Sequence, residues 1–328
     1  MLRTKLEYII LFFIPLVILS NTSCNPASKA SHEHGVASEH TFKGEYPIKV
    51  VATTGQVAEM ITRVGGDHVK VNGLMGPGVD PHLYRPIASD VKKLNEADAI
   101  FYNGLHLEGR MADLFVQMAR RKATFAVTEG LTNRDDTRLR EPPEFEGMYD
   151  PHVWHDVALW SDCVNDVADM LTKFDPSHAE DYRANATAYR TELATLDEFC
   201  KTEISKIPAK QRVLVTAHDA FGYFGKAYGL EVFGLKGIST EEEINLAHQE
   251  KIQKMLVERK IPAVFVESAV APRTIEALVE PCRAVGHDLQ VPKKELYADA
   301  LGPAETDGST YAGMIRHNVS TIVEALAK

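Results

Sequence analysis

From Ser177 to Ile207 the chain contains neither glycine nor proline, and Tyr182, Ala186, Tyr189, Leu193, Leu196, Cys200 and Ile204 recur there at steps of three and four. That spacing places one apolar stripe along one face of a helix. Ser177 and Glu180 stand at capping-box spacing at its start. A helix of about 30 residues would be ~45 Å long, the length of a whole domain. Such a helix packs within one large domain, pairs in a coiled coil, or joins two lobes as a rigid spine. The chain on either side of it decides for the spine.

Before the helix, β-rich runs at 47–52, 69–75, 99–102 and 124–127 alternate with amphipathic stretches at 57–64, 88–94, 107–119 and 156–173. After it the alternation resumes, with strands expected at 212–216, 230–233, 263–266 and 289–291 and helices at 221–228, 247–259, 274–285 and 311–327. Strands alternating with helices imply βαβ units and mostly parallel sheets. The expected fold is therefore α/β: two lobes, each a small mostly parallel sheet flanked by helices, joined by one long rigid helix. The boundaries are 46–175 for the first lobe, 176–207 for the spine and 208–328 for the second. With 328 residues, 45% of them hydrophobic, either lobe can bury a core. A polar loop of both charge signs, 132–147, is longer than ordinary connections, and such loops tend to be functional or mobile.

The first 45 residues stand apart. Arg3 and Lys5 precede an apolar run from Tyr8 to Leu19, the pattern of a secretory signal and short for a bilayer span. Cys24 follows four small or polar residues and resembles the lipid-attachment site of bacterial lipoproteins, although Asn21 stands where that pattern has an aliphatic residue. The expectation is a signal peptide over 1–23, lipidation at Cys24, a polar tether over 24–45, and an extracytoplasmic, membrane-anchored protein. Three histidines in or beside the tether, His32, His34 and His40, could capture metal loosely or simply belong to a polar tail. The remaining cysteines, Cys163, Cys200 and Cys282, have no CxxC spacing and read as buried small residues.

The formal net charge is −10, and without 1–23 it is −11. A protein that binds nucleic acid needs a basic footprint to displace phosphate counterions, so this balance argues against one.

Four residues stand in loops that could carry chemistry: His82 in Asp80-Pro81-His82, His152 in Asp150-Pro151-His152, His218 in Thr216-Ala217-His218, and Asp299 in Tyr297-Ala298-Asp299. Most follow expected strands, and ligands of open α/β sheets bind outside the carboxyl ends of strands. Three neutral imidazoles and one carboxylate make a site for a divalent first-row metal, zinc or manganese. The repeated Asp-Pro-His tripeptide biases the backbone ahead of each histidine towards one geometry. Spacing alone is a weak signal, since the four lie 70, 66 and 81 residues apart and no local metal motif links them.

Five blocks in order carry a resemblance: 78–86 around Asp80-Pro81-His82, 97–108 ending in His106-Leu107-Glu108, 149–154 ending in Val153-Trp154, 217–224 opening on Ala217-His218, and 297–302 leading to 310–314 and Asn318. Together they resemble the zinc/manganese substrate-binding proteins of bacterial ABC importers. The resemblance implies two lobes with a metal buried between them, and carries the ligands onto His82, His152, His218 and Asp299. It implies capture of the metal outside the cytoplasmic membrane and delivery to an ABC transporter permease; no enzymatic activity and a monomeric state are expected. His218 and the divalent affinity order favour zinc, and manganese is the alternative. Trp154 is expected to pack beside the site and exclude water. His155 could reach the site, but a backbone-bonded histidine at a helix start is the blander reading. Glu108 and His106 read as support for the site or as structural. The acidic run Glu241-Glu242-Glu243 reads as a solvated helix start. The competing functions are a zinc-dependent hydrolase, which would need an open metal position and a general base, and a surface adhesin with a structural metal.

Overall fold

The computed structural model describes residues 40–145 and 147–327. The expected signal, Cys24 and the tether histidines His32 and His34 lie outside these residues. The first sheet has four strands, β1 (Ile48–Ala52), β2 (Val69–Gly73), β3 (Ala99–Tyr102) and β4 (Ala123–Ala126), in the order β2-β1-β3-β4 and all parallel. β1, β3 and β4 are buried almost throughout, as near-continuous apolar runs require when helices cover both faces. β2 is an edge strand and is more exposed.

Each crossover is helical. In α1 (Gly55–Gly65) Thr54 caps the first turn by accepting from the Val57 N–H, and Val57, Met60, Ile61 and Val64 form the buried stripe. Gly66, at φ 54° and ψ −138°, takes a positive-φ conformation that favours glycine and ends the helix. α2 (Ala88–Glu96) follows β2, and α3 (Ala112–Ala119) follows β3. The helix expected over 107–119 begins only after a 3-10 turn at Gly109–Met111. The Glu108 carboxylate takes the N–H groups of Asn103 and Gly104, and the chain around it holds φ 89°, 53° and 65° at Gly104, Leu105 and His106. Helix cannot start until that turn closes.

After α4 (Glu129–Asn133) the 132–147 loop is pinned by charge: Arg134 pairs with Asp166, and Arg138 with Asp136 and Asp162. α5 (Val157–Phe174) is capped by Asp156, whose side chain accepts from the Leu159 N–H. The long helix is α6 (Ala179–Ile204), 26 residues, or about 39 Å at the helical rise. Its buried residues are the seven of the apolar stripe. The capping box at Ser177 and Glu180 does not form. Asp175 occupies that role instead: its carboxylate accepts from the Ser177 N–H, the His178 ring and the hydroxyls of Tyr46 and Tyr182. Pro176 opens a 3-10 turn under this cap, so helix starts two residues later than expected.

Beyond α6, β5 (Val213–Thr216) and β6 (Glu231–Gly234) form a second, parallel sheet around α7 (Gly222–Tyr228). The strands expected at 263–266 and 289–291 are present only as single parallel bridges, Ala263 to Gln290 and Glu267 to Leu296, beside a Phe265 N–H to Val215 carbonyl bond of 2.9 Å. Pro262 and Pro292 flank these segments, and a proline removes the donor that would extend a ladder. α8 (Leu246–Arg259), α9 (Arg273–Ala284) and α10 (Tyr311–Leu326) complete the chain. α8 is capped by Asn245, so the run Glu241-Glu242-Glu243 lies before the helix and not in its first turn.

α6 packs against α1, α5 and α10, and one continuous core runs through residues of both sheets. The closing helix α10 reaches back to the first sheet's helices: the Tyr311 N–H donates to Glu59 at 2.6 Å, and its hydroxyl donates to the Trp154 carbonyl at 2.7 Å. Cys163, Cys200 and Cys282 are free and buried. No helix among the described residues is long and apolar enough to cross a membrane.

Candidate metal centre

The loop after β2 turns at Asp80, whose Oδ1 accepts the N–H groups of His82 (2.9 Å) and Leu83 (3.3 Å). The segment before α5 repeats the turn: Asp150 Oδ1 accepts the His152 N–H at 3.0 Å. His218 follows β5, and its N–H donates to Glu267 at 3.0 Å. Asp299 follows the bridge at Leu296. One atom from each of His82, His152, His218 and Asp299 lies within 4.8 Å of the others, and among the described residues this is the one group that meets the geometry of a metal site.

The distances have the scale of a coordination shell. His82 Nε2 is 3.2 Å from His152 Nε2 and 3.8 Å from Asp299 Oδ2. Asp299 Oδ1 is 3.4 Å from His152 Nε2, and its Oδ2 is 3.3 Å from His218 Nε2. Tetrahedral zinc with donor bonds of 2.0–2.1 Å separates its donors by about 3.3 Å. His82 is 4% exposed, Asp299 1%, and His152 and His218 0%. Both oxygens of Asp299 and Nε2 of His218 lack a hydrogen-bond partner of acceptable geometry. Buried polar atoms without partners are rare in folded proteins, and a cation at the centre of the four would satisfy them.

Two histidines are held from behind. His152 Nδ1 is hydrogen-bonded to Asp150 Oδ1 at 2.7 Å, and His218 Nδ1 makes an ion-pair contact of 2.6 Å with Glu267 Oε2 that lacks hydrogen-bond geometry. A carboxylate on Nδ1 fixes the ring, keeps the Nε2 lone pair for the metal and raises its basicity. Asp150 is itself paired with Arg140. Burial pulls the His82 ring down to about 3. Burial also pulls on His152, but the charges of Asp150 and Asp299 outweigh it and lift the ring to about 9. His218 is raised well above the usual range, burial being outweighed by Glu267 and Asp299, and Asp299 is held well below its usual range by His218 and His152 despite its burial.

The neighbours divide. Trp154 is 1% exposed, stands edge-on to the His152 ring at 5.2 Å between centroids, and closes that side to water. His155 is buried against Phe221 with both ring nitrogens unpartnered, and burial takes it down to about 3. It is not among the four converging residues, and its ring faces the Ala298 backbone without strict hydrogen-bond geometry. α5 starts from the Asp156 carboxylate, leaving the His155 ring to pack. Glu108 is a strut: it accepts from Thr53, Asn103 and Gly104, while Asn103 Nδ2 donates to the Pro151 carbonyl beside His152. Glu241 pairs with Arg110 of the chain after β3, and Glu242 Oε1 accepts from the Ser239 N–H. The acidic run is therefore an anchored turn.

Sequence reasoning missed Glu267, and did not assign Asp80 and Asp150 their roles. Glu267 had a visible signal, because it ends the apolar run at 263–266, at the strand edge where ligands collect.

A buried three-histidine, one-aspartate cluster between two parallel sheets joined by a long helix defines a substrate-binding protein for a metal ion. The family model described as zinc-uptake complex component A, periplasmic, matches residues 50–325, and the chain belongs to that family. It is 44% identical over 280 residues to the manganese-binding lipoprotein MntA of Bacillus subtilis, covering 85% of this chain and 90% of that one. It is 42% identical over 279 residues to the zinc-binding protein TroA of Treponema pallidum, covering 85% and 89%. The solved structure of TroA superposes with a TM-score of 0.80 over 86% of this chain and 99% of that one. The laminin-binding protein Lmb of Streptococcus agalactiae, described as bifunctional with adhesin and metal transporting activity, is 26% identical, with a TM-score of 0.72 over 85% and 99%.

Proposed function

We propose that this protein captures a divalent transition metal outside the cytoplasmic membrane through His82, His152, His218 and Asp299 and hands it to an ABC permease. The convergence of those four donors within 4.8 Å carries the reading. Zinc is the favoured cargo, because three imidazoles and one carboxylate at tetrahedral spacing suit it and it outranks manganese in affinity. Manganese competes where it is more available, and likeness to MntA supports keeping it as the second cargo. Four protein donors leave no position for a catalytic water, which favours carriage over hydrolysis. The segments 46–175 and 208–328 act as lobes about the spine at 176–207, and the protein works as a monomer tethered through lipidated Cys24. Likeness to Lmb supports a second reading, an adhesin that also carries metal, which binding to immobilised laminin would test.

An equilibrium titration of chelator-stripped protein with zinc and manganese tests the main reading. One ion is expected per chain, with binding lost in His82→Ala and Asp299→Ala. Unchanged zinc affinity in His218→Ala would show that the four do not act as one site.

A further inference from the structure

The two Asp-Pro-His turns share more than their backbone shape. Each aspartate holds its histidine's N–H on Oδ1, at 2.9 Å for Asp80 and 3.0 Å for Asp150. Each has a second partner on Oδ2. Asp80 Oδ2 accepts the Thr240 hydroxyl at 2.6 Å. Asp150 Oδ2 pairs with Arg140, whose Nη2 lies 3.6 Å from Asp219. Both links end beside His218. Asp219 is its chain neighbour. Thr240 ends a segment that runs alongside it: Leu235 and Lys236 donate their N–H groups to the Thr216 and Ala217 carbonyls at 3.1 and 3.0 Å, Asp219 donates to the Gly237 carbonyl at 3.1 Å, and Lys236 Nζ donates to the Thr240 carbonyl at 2.7 Å.

The two links are unequal. Asp150 grips both the backbone and the ring of His152, whereas Asp80 grips His82 through its backbone. His82 is also the most exposed of the four. It is the donor that movement of one segment frees most readily.

We propose that the Asp80–Thr240 hydrogen bond is a latch that sets how long the cation stays, by holding His82 against the donors on the second sheet. The latch rests on the metal-carriage reading and adds to it the residue pair that governs release. Thr240 is not one of the four donors and is a positioning residue. Breaking its bond lets His82 swing away while His152 keeps Asp150 and His218 keeps Glu267, so the ion leaves faster from an unchanged donor set.

The test is the rate at which Zn2+ leaves the loaded, intact protein into excess chelator, followed by stopped flow. Thr240→Val removes the hydroxyl and keeps the shape. Its off-rate is expected to rise about tenfold, the ratio corresponding to about 1.4 kcal/mol. Stoichiometry and the Co2+ absorption spectrum should match wild type, and Thr240→Ser should restore the slow rate. Asp80→Asn weakens the same bond from the other side and should also speed release, which covers a failure of the valine variant to fold. Folded variants releasing zinc within about twofold of wild type overturn the latch, since off-rates carry most such differences. An altered cobalt spectrum in Thr240→Val also overturns it, because the residue would then shape the donor set. A wild-type protein that binds neither Zn2+ nor Co2+ overturns the carriage reading itself.

Discussion

Trp154 donates its indole N–H to the Ala298 carbonyl at 2.9 Å, joining the residue two places after His152 to the residue just before Asp299. One bond thus ties a donor carried by the chain before α5 to one carried by the chain after the second sheet. The Trp154 carbonyl is held in turn by the Tyr311 hydroxyl at 2.7 Å. Separation of the donors has to break or carry along these bonds, so release through small local movement is favoured over a wide hinge.

The chain has two tryptophans, Trp154 and Trp160, and the first stands against His152. Metal loading should therefore change the intrinsic fluorescence through Trp154. The change is expected to survive in Trp160→Phe and to vanish in Trp154→Phe. In the second variant the Ala298 carbonyl loses its donor, at a cost of about 1–2 kcal/mol in denaturant unfolding of the metal-free protein. An equal metal-dependent signal in Trp154→Phe would contradict this placement.

Protons and metal compete for the same nitrogens. With the His152 ring raised to about 9 in the metal-free protein, it carries a proton at pH 7 that the cation must displace. Apparent affinity should climb with pH and flatten near about 9, with at least one proton released per ion near neutrality. Titration calorimetry in buffers of different ionisation enthalpy measures that release. Metal-free stability has the opposite sign. A ring raised from 6.5 to about 9 on folding stabilises fully below 6.5, and that contribution is lost as pH rises towards 9.

Asp150 and Glu267 contact their histidines at Nδ1, away from the Nε2 atoms proposed to bind the metal. Asp150→Asn and Glu267→Gln should each weaken zinc binding on the order of 10–100-fold while the one-to-one stoichiometry stays. Competition against a chromophoric chelator gives the values. Wild-type affinity in both variants would remove the supporting role.

Lys122 is a test of the fold away from the site. Its Nζ donates to the carbonyls of Leu94, Asn95 and Ala97, closing the end of α2. Lys122→Met leaves those carbonyls without the ammonium and should destabilise the protein by about 1–3 kcal/mol. Zinc affinity should not move, since neither α2 nor Lys122 supplies a donor.

Stripping the metal should lower the melting temperature and leave far-ultraviolet circular dichroism unchanged, because the core runs through both sheets and does not include the donors. At a free-ion level about 100 times the dissociation constant, binding adds about 2.7 kcal/mol. Loss of secondary structure on chelation would mean that the site organises the fold.

Much of the architecture was legible because it is written in local periods. The stripe from Tyr182 to Ile204 gave α6, and buried runs such as Val213–Thr216 gave strands. The helix does not begin at Ser177 because Asp175, two residues earlier, competes for the same orphan N–H groups and also holds His178 and two tyrosines. Period alone does not rank two caps. The segments at 263–266 and 289–291 have strand composition, but ladder formation depends on neighbours and donors that composition omits.

Local sequence pattern sets the alternation of strands and helices, the long helix, and the types of the four donors with the Asp-Pro-His turns that present two of them. Tertiary structure alone decided which distant groups support those donors. Glu267 backs His218 across 49 residues, Trp154 meets Ala298 across 144, and Thr240 meets Asp80 across 160. Local preference is set by a few neighbouring dihedrals, whereas such pairs form only when packing of the two sheets and α6 fixes where separate loops end. Their chemistry is written in the sequence, but the packed fold determines their proximity.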